Sequence, residues 1–255
     1  MLLRKIFSRK WWVATLLVIA ATLVLIRLGI WQLDRLEQRR AFNAQVLSAR
    51  SQSTLDLNQA QPQNISEMEW RPVQLAGEYD FSNQVALRNQ YYGTQYGYHL
   101  LTPLLFTPLT GSGPAPTAVL VDRGWIPADG NSTSEDWRKY DEPGAVKVTG
   151  QIRLRQGKPA IGGVADALPG AGSKLEIWNN ADVEKIAGQL PYPILPIYIQ
   201  PDSNASDAEP PIPYQPQIEL TEGPHFGYAS QWFTFAAILF LGYPFYVQKQ
   251  ESKAI

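Results

Sequence analysis

Two long apolar runs stand near the ends of this chain, Trp11 to Trp31 and Phe226 to Val247. The first is interrupted only by Arg27 and the second holds no charged residue. At helical rise each covers about 32 Å, which is enough to cross a bilayer. Arg27 lies one turn from the end of its run, where its stem can reach the headgroups. Directly after it, LDRLEQRRAFNAQVLSAR is free of Gly and Pro and predicts a solvated helical stalk. Arg35 and Arg39 share a face there, and Asp34 and Glu37 can pair locally with the basic residues. From Trp70 the period changes from helical to two. Val146, Val148, Ile152 and Leu154 alternate with Lys147, Thr149, Gln151 and Arg153, as a strand with one wet face requires. RPVQLAGEY, QVALRN, GYHLLTPLLF, TAVLVDRGW and ILPIYIQ read the same way, joined by loops such as TGSGPAP and GGVADALPGAG. That makes about six or seven strands. One short helix is predicted at ADVEKIAGQL, where Val183, Ile186, Ala187 and Leu190 fall on one face. The pattern predicts an α+β membrane protein, with two transmembrane helices flanking a mainly antiparallel β domain.

Charge sets the direction of the helices. Arg4, Lys5, Arg9 and Lys10 precede the first run, and Lys249 and Lys253 follow the second. Basic flanks stay in the cytoplasm, so both ends are predicted there and the β-rich middle outside. The predicted divisions are a cytoplasmic N-terminus (1–10), a first transmembrane helix (11–31) and an extracytoplasmic domain (32–224). A second transmembrane helix (225–247) and a cytoplasmic tail (248–255) complete the chain. Within the domain, 200–217 is rich in Pro and polar residues and reads as a mobile loop. No small-residue cleavage site follows the first run, so it reads as an uncleaved anchor. The short N-terminal extension favours a bacterial plasma (inner) membrane over the mitochondrial inner membrane.

The middle segment carries 15 Lys and Arg against 22 Asp and Glu, a formal charge of −7. Such a domain does not bind nucleic acid through a basic surface. Cysteine is absent and methionine occurs only at positions 1 and 68. That removes thiolate copper sites, CxxC redox pairs and Cys-ligated zinc. No GxSxG, HExxH, P-loop or dinucleotide-binding pattern occurs, and the chain reads as a non-enzyme. Asn64, Asn131 and Asn204 head N-x-S/T triplets, which decide nothing by themselves. His99 falls within a predicted strand and reads as structural. Asp122 and Arg123, ahead of a Gly-Trp turn, read as a local ion pair closing a strand. His225, Tyr228 and Trp232 occupy positions i, i+3 and i+7 at the mouth of the second apolar run, on one helix face. Tyr and Trp gather at membrane interfaces for their amphipathic rings alone, so a plain interfacial belt is one reading. A ligand role for His225 is the other. The positive end of the helix disfavours imidazolium and leaves a nitrogen lone pair to offer.

The stretch LGIWQLDR, Leu28 to Arg35, resembles the LGxWQxxR signature of the Surfeit locus protein 1 family of cytochrome c oxidase assembly factors. The resemblance continues along the chain through Gly77 and Tyr79, then Gly97, Tyr98, Thr102, Pro103 and Leu104. It takes in Val121, Arg123, Gly124, Trp125, Ile126 and Pro127, then Gly150 and Arg153, then Tyr198, Ile199 and Gln200. His225, Tyr228 and Trp232 match the motif that opens the family's second helix. Pro224 and Gln231 depart from it, where many relatives carry Asn and Thr. The resemblance implies an oxidase assembly factor in the membrane, with oxidase subunit I, other assembly factors and the lipid bilayer as partners. It also implies that His225 binds the iron of haem a, with Tyr228 and Trp232 shaping the pocket, for delivery to subunit I. A protein-only scaffold or sensor that binds no haem is the alternative from another class. A copper carrier is disfavoured by the missing Cys.

Overall fold

A 39-residue helix, α1 (Trp12–Arg50), opens the computed structural model. The structure describes residues 6–60, 62–109, 117–154, 166–167, 173–203, 209–213 and 218–253. The predicted span and stalk are one uninterrupted helix, because nothing from Trp31 to Arg50 breaks the backbone hydrogen-bond ladder. Among the described helices α1 alone reaches the hydropathy of a membrane span. After it come β1 (Leu55–Asp56), β2 (Pro72–Tyr79), β3 (Val85–Tyr92), β4 (Gln95–Phe106), β5 (Thr117–Pro127) and β6 (Ala145–Leu154). β7 (Ile177–Trp178), the short α2 (Val183–Ala187), β8 (Ile194–Pro201) and α3 (His225–Ser252) follow. α3 is 28 residues long and contains Pro244. Its Tyr, Trp, Gln, Ser and Thr residues dilute its hydropathy even though residues 226–247 are uncharged.

The chain divides into two compact units, residues 1–45 with 218–255, and residues 46–217. In the first, α1 and α3 run antiparallel and are pinned along their length. Near one end Lys10 Nζ and Trp11 Nε1 both donate to Glu251 Oε1, at 2.8 and 2.9 Å. Thr15 Oγ1 and Tyr243 Oη lie 2.8 Å apart. Farther along, Gly29 gives the Phe233 ring its place, since a Cβ there would come within 2.7 Å of it. At the other end Arg40 grips both carboxylate oxygens of Glu222. Most of the surface these helices turn outward is apolar, with Leu16, Leu23, Ile238 and Phe240 all exposed.

The second unit is a sheet closed on itself. Its strand order is β1-β2-β6-β8-β5-β4-β3-β7, and an extra pairing of β2 with β4 completes a five-stranded ring. Pairing is mainly antiparallel. β1–β2, β3–β7 and β5–β8 are parallel. The alternation read in residues 146–154 holds: Val148 and Ile152 are buried while Lys147 and Thr149 face water. Val73, Leu75, Leu104, Val119, Val121, Ile197 and Ile199 pack together with them as one core. A second cluster joins Leu101, Leu120 and Tyr198 to Trp178, Val183 and Ile186 of β7 and α2. With one cluster taking Val119 and Val121 and the other Leu120, β5 is buried from Thr117 to Ile126.

β5 is irregular where it matters. Leu100 pairs with Gly124 and Leu101 with Asp122, so Arg123 is the extra residue of a bulge. Gly124 has φ +122°, and a Cβ there would lie 2.2 Å from the Ile212 carbonyl oxygen. Only glycine suits both conditions. Trp125 and Ile212 exchange backbone hydrogen bonds, with N–H···O at 2.6 and 2.8 Å. The predicted 200–217 loop lies partly outside the described residues. Of the part described, Pro201 ends β8 and Ile212 is buried against β5. The TGSGPAP and GGVADALPGAG loops also lie largely outside them. Trp70 adopts φ +72°, with the Arg153 guanidinium 3.5 Å from its ring centroid and that of Arg50 at 5.6 Å. Two cations on one indole hold this left-handed residue in place.

Candidate functional site

The two histidines are placed in opposite circumstances. His99, on β4, is 4% exposed, and its Nδ1 lies 3.0 Å from both carboxylate oxygens of Asp122 on β5. Burial disfavours the imidazolium, but the Asp122 charge and its hydrogen bond outweigh that and hold the His99 pKa above its ordinary value. Enclosed in the sheet with a carboxylate partner, His99 is a structural group.

Asp122 and Arg123, whose adjacency suggested a local ion pair, each engage groups on other elements. The bulge sends them to different partners. Arg123, buried, donates from Nη1 to Gln84 Oε1 at 3.2 Å and from Nη2 to the Tyr140 carbonyl and to Glu142 Oε1. Its guanidinium also sits 5.2 and 5.0 Å from the ring centroids of Tyr79 and Phe81. Burial pushes the Tyr79 phenol up to about 12, against the pull of the Arg123 charge. A cation so surrounded orders the sheet and the Asp136–Tyr140 turn beside it.

His225 is the first residue of α3 and is half-buried. Its Nδ1 lies 2.8 Å from Gln32 Oε1 on α1. Pro224 precedes the helix and Gly223, at φ +69°, turns the chain into it. Tyr228 is exposed and Trp232 half-buried, the latter edge-on to Phe235 with centroids 6.3 Å apart. The three residues therefore follow one another along α3 as the spacing predicted. The partner that holds the imidazole, Gln32, comes from the other helix. Sequence reading did not join them, although Gln32 lies within LGIWQLDR.

Chemically, one imidazole beside aromatic and apolar surface cannot hold a bare ion. Among the described residues no group of three or more His, Cys, Asp or Glu stands together. An iron porphyrin fits the donor set better, because it brings four nitrogens of its own and asks the protein for an axial ligand. The hydrogen bond to Gln32 engages Nδ1, which leaves Nε2 for that role.

A model of the SURF1 family matches residues 19–237 of the chain. The chain is 24% identical over 241 residues to Surfeit locus protein 1 of Gallus gallus, covering 87% of this chain and 72% of that protein. With the Homo sapiens protein of the same name it shares 25% over 245 residues, 89% and 73% of the two chains. A SURF1-like protein of Rickettsia bellii is 22% identical over 248 residues, 94% of this chain and 93% of its own.

Proposed function

The chain belongs to the SURF1 family, and from that premise we propose that it is a membrane-bound assembly factor for haem–copper cytochrome c oxidase. In this reading it is not an enzyme. It takes haem a as cargo through His225 and assists its insertion into oxidase subunit I, beside other assembly factors. The observation that carries the reading is the His225–Gln32 hydrogen bond, which holds an imidazole at the junction of two apolar helices. Tyr228 and Trp232 lie along the same helix face and offer aromatic surface to a flat macrocycle. The bound iron supplies only its own affinity for an imidazole nitrogen. The chain's own part is to orient that nitrogen.

The same reading makes the protein a two-span protein of the plasma (inner) membrane. Lys10 and Trp11 meet Glu251 across the helix pair, so these residues share one end of it. The basic residues there favour the cytoplasmic side, with residues 32–224 in the other compartment. A reporter active only in the cytoplasm, inserted near Asn204, should be silent, and activity there would refute the topology. For the cargo, protein purified from cells that make haem a should show a haem a spectrum, lost in His225→Ala with membrane insertion unchanged. Wild-type protein from such cells without haem would leave a protein-only scaffold in its place.

A further inference from the structure

We propose that Gln32 is a positioning residue that determines which nitrogen His225 offers to a ligand. This rests on the reading of His225 as a haem ligand. The Gln32 amide oxygen lies 2.8 Å from Nδ1 and, as a carbonyl, accepts a hydrogen bond there. Nδ1 therefore carries the proton of the neutral ring, and the lone pair sits on Nε2. The free imidazole in water is a mixture of tautomers. A fixed acceptor on a neighbouring helix selects one of them and stops the ring from turning.

The surroundings preserve that choice. His225 is the first residue of α3, so its backbone is held by the helix it begins. Gly223 lies beside the other edge of the ring: a Cβ there would be 3.5 Å from Nε2 and 3.4 Å from Cδ2. Its lack of a side chain leaves the approach to Nε2 clear. Arg40 and Glu222 tie the residues just ahead of α3 to α1, the helix that carries Gln32. The acceptor and the ring are thus fixed to the same pair of helices, across 193 positions of sequence. An acceptor on the remote nitrogen also makes the ligating nitrogen more basic, and loss of such a partner typically weakens metal binding by about 10- to 100-fold.

The experiment uses the full chain in nanodiscs with ¹⁵N-labelled histidine, and haemin as the probe. In the haemin-free protein at alkaline pH, Nδ1 should give the protonated signal and Nε2 the unprotonated one. Gln32→Leu should abolish that preference and weaken haemin binding by about 10- to 100-fold. Gln32→Glu keeps an acceptor, so it should retain Nδ1–H and tight binding and shift the iron potential downward. An Nε2–H tautomer in the wild type overturns the proposal whether or not haemin binds. So does haemin binding that is unchanged in affinity and spectrum in Gln32→Leu while His225→Ala abolishes it, which would leave His225 as the ligand. A wild type with Nδ1–H that takes up no haemin overturns the haem reading instead and leaves the tautomer assignment supported.

Discussion

The closed sheet and the helix pair handle polar groups in opposite ways. In the sheet unit the buried charges are matched by groups of the chain itself. Asp122 meets His99, and Arg123 is held by Gln84, Tyr140, Glu142 and two aromatic rings. The ring of strands leaves β2, β4, β5, β6 and β8 paired on both sides. The helix pair turns large apolar side chains outward and presents an imidazole bonded to Gln32 at its junction. The sheet's charges, answered in this way, are committed to holding it together. The His99–Asp122 and Arg123 groups thus serve the sheet, and the proposed function draws on the helix junction instead.

The contrast breaks most readily at Gly124. Gly124→Val places a β-branched side chain at φ +122° and drives it into the Ile212 carbonyl. We expect the sheet to lose more than about 4 kcal/mol, the range in which single substitutions become exceptional. Limited proteolysis should show residues 46–217 cut while the apolar helices stay protected. A variant folded as tightly as the wild type would mean that Ile212 does not hold β5 as described. Arg123→Ala is the next largest effect. Removing a buried guanidinium strands Gln84 and the Tyr140 carbonyl and opens a void between Tyr79 and Phe81. A loss of about 3 kcal/mol is expected, to be measured by urea unfolding of the full chain in detergent. Arg123→Lys should recover only part of it, since an ammonium cannot reproduce the fork.

The His99–Asp122 pair gives a smaller effect whose sign is fixed. The folded pKa of His99 is raised above 6.5, so folding binds a proton more tightly than the unfolded chain does. Its stabilisation is complete below about 6.5 and is lost as pH rises through the raised value. Asp122→Asn should remove this pH dependence and lower stability at acid pH by about 1–3 kcal/mol. Thermal midpoints followed by near-ultraviolet circular dichroism across that range test it. A wild type that gains stability as pH rises there would contradict the pairing.

What the sequence revealed and what it hid divide along physical lines. Alternation and Gly/Pro punctuation mark strands locally, so β2 to β6 and β8 were legible to within about three residues. β1 and β7 have two residues each and leave no period to detect. The helix at ADVEKIAGQL was found but overextended, since only Val183–Ala187 is α-helical. The Gly-Trp turn at Gly124 was legible, but its left-handed backbone and contact with Ile212 were not. The pairings themselves were hidden. Gln32 and His225, His99 and Asp122, or Arg123 and Glu142 lie far apart in sequence, and no periodicity connects them. The bulge that separates Asp122 from Arg123 is a property of register, which depends on a second strand.

The smallest expected effect lies at Arg40 and Glu222, and it tests the comparison from the other side. Arg40 Nε and Nη2 donate to the two Glu222 oxygens at 2.8 and 2.9 Å, a geometry as good as any in the sheet. Both side chains are more than half exposed. The hydrogen bond from Arg40, helped by its charge, lowers the Glu222 pKa, so what the pair contributes is present at neutral pH and fades on acidification. Water, however, solvates both ends of a broken exposed pair almost as well as each solvates the other, and salt screens the attraction. Arg40→Gln should therefore leave the thermal midpoint unchanged within error, at low and at high salt alike. If it instead destabilised the chain as much as Arg123→Ala, geometry rather than burial would decide what a charge pair is worth here. The division between buried charges held by the sheet and an outward-facing helix pair would then fail.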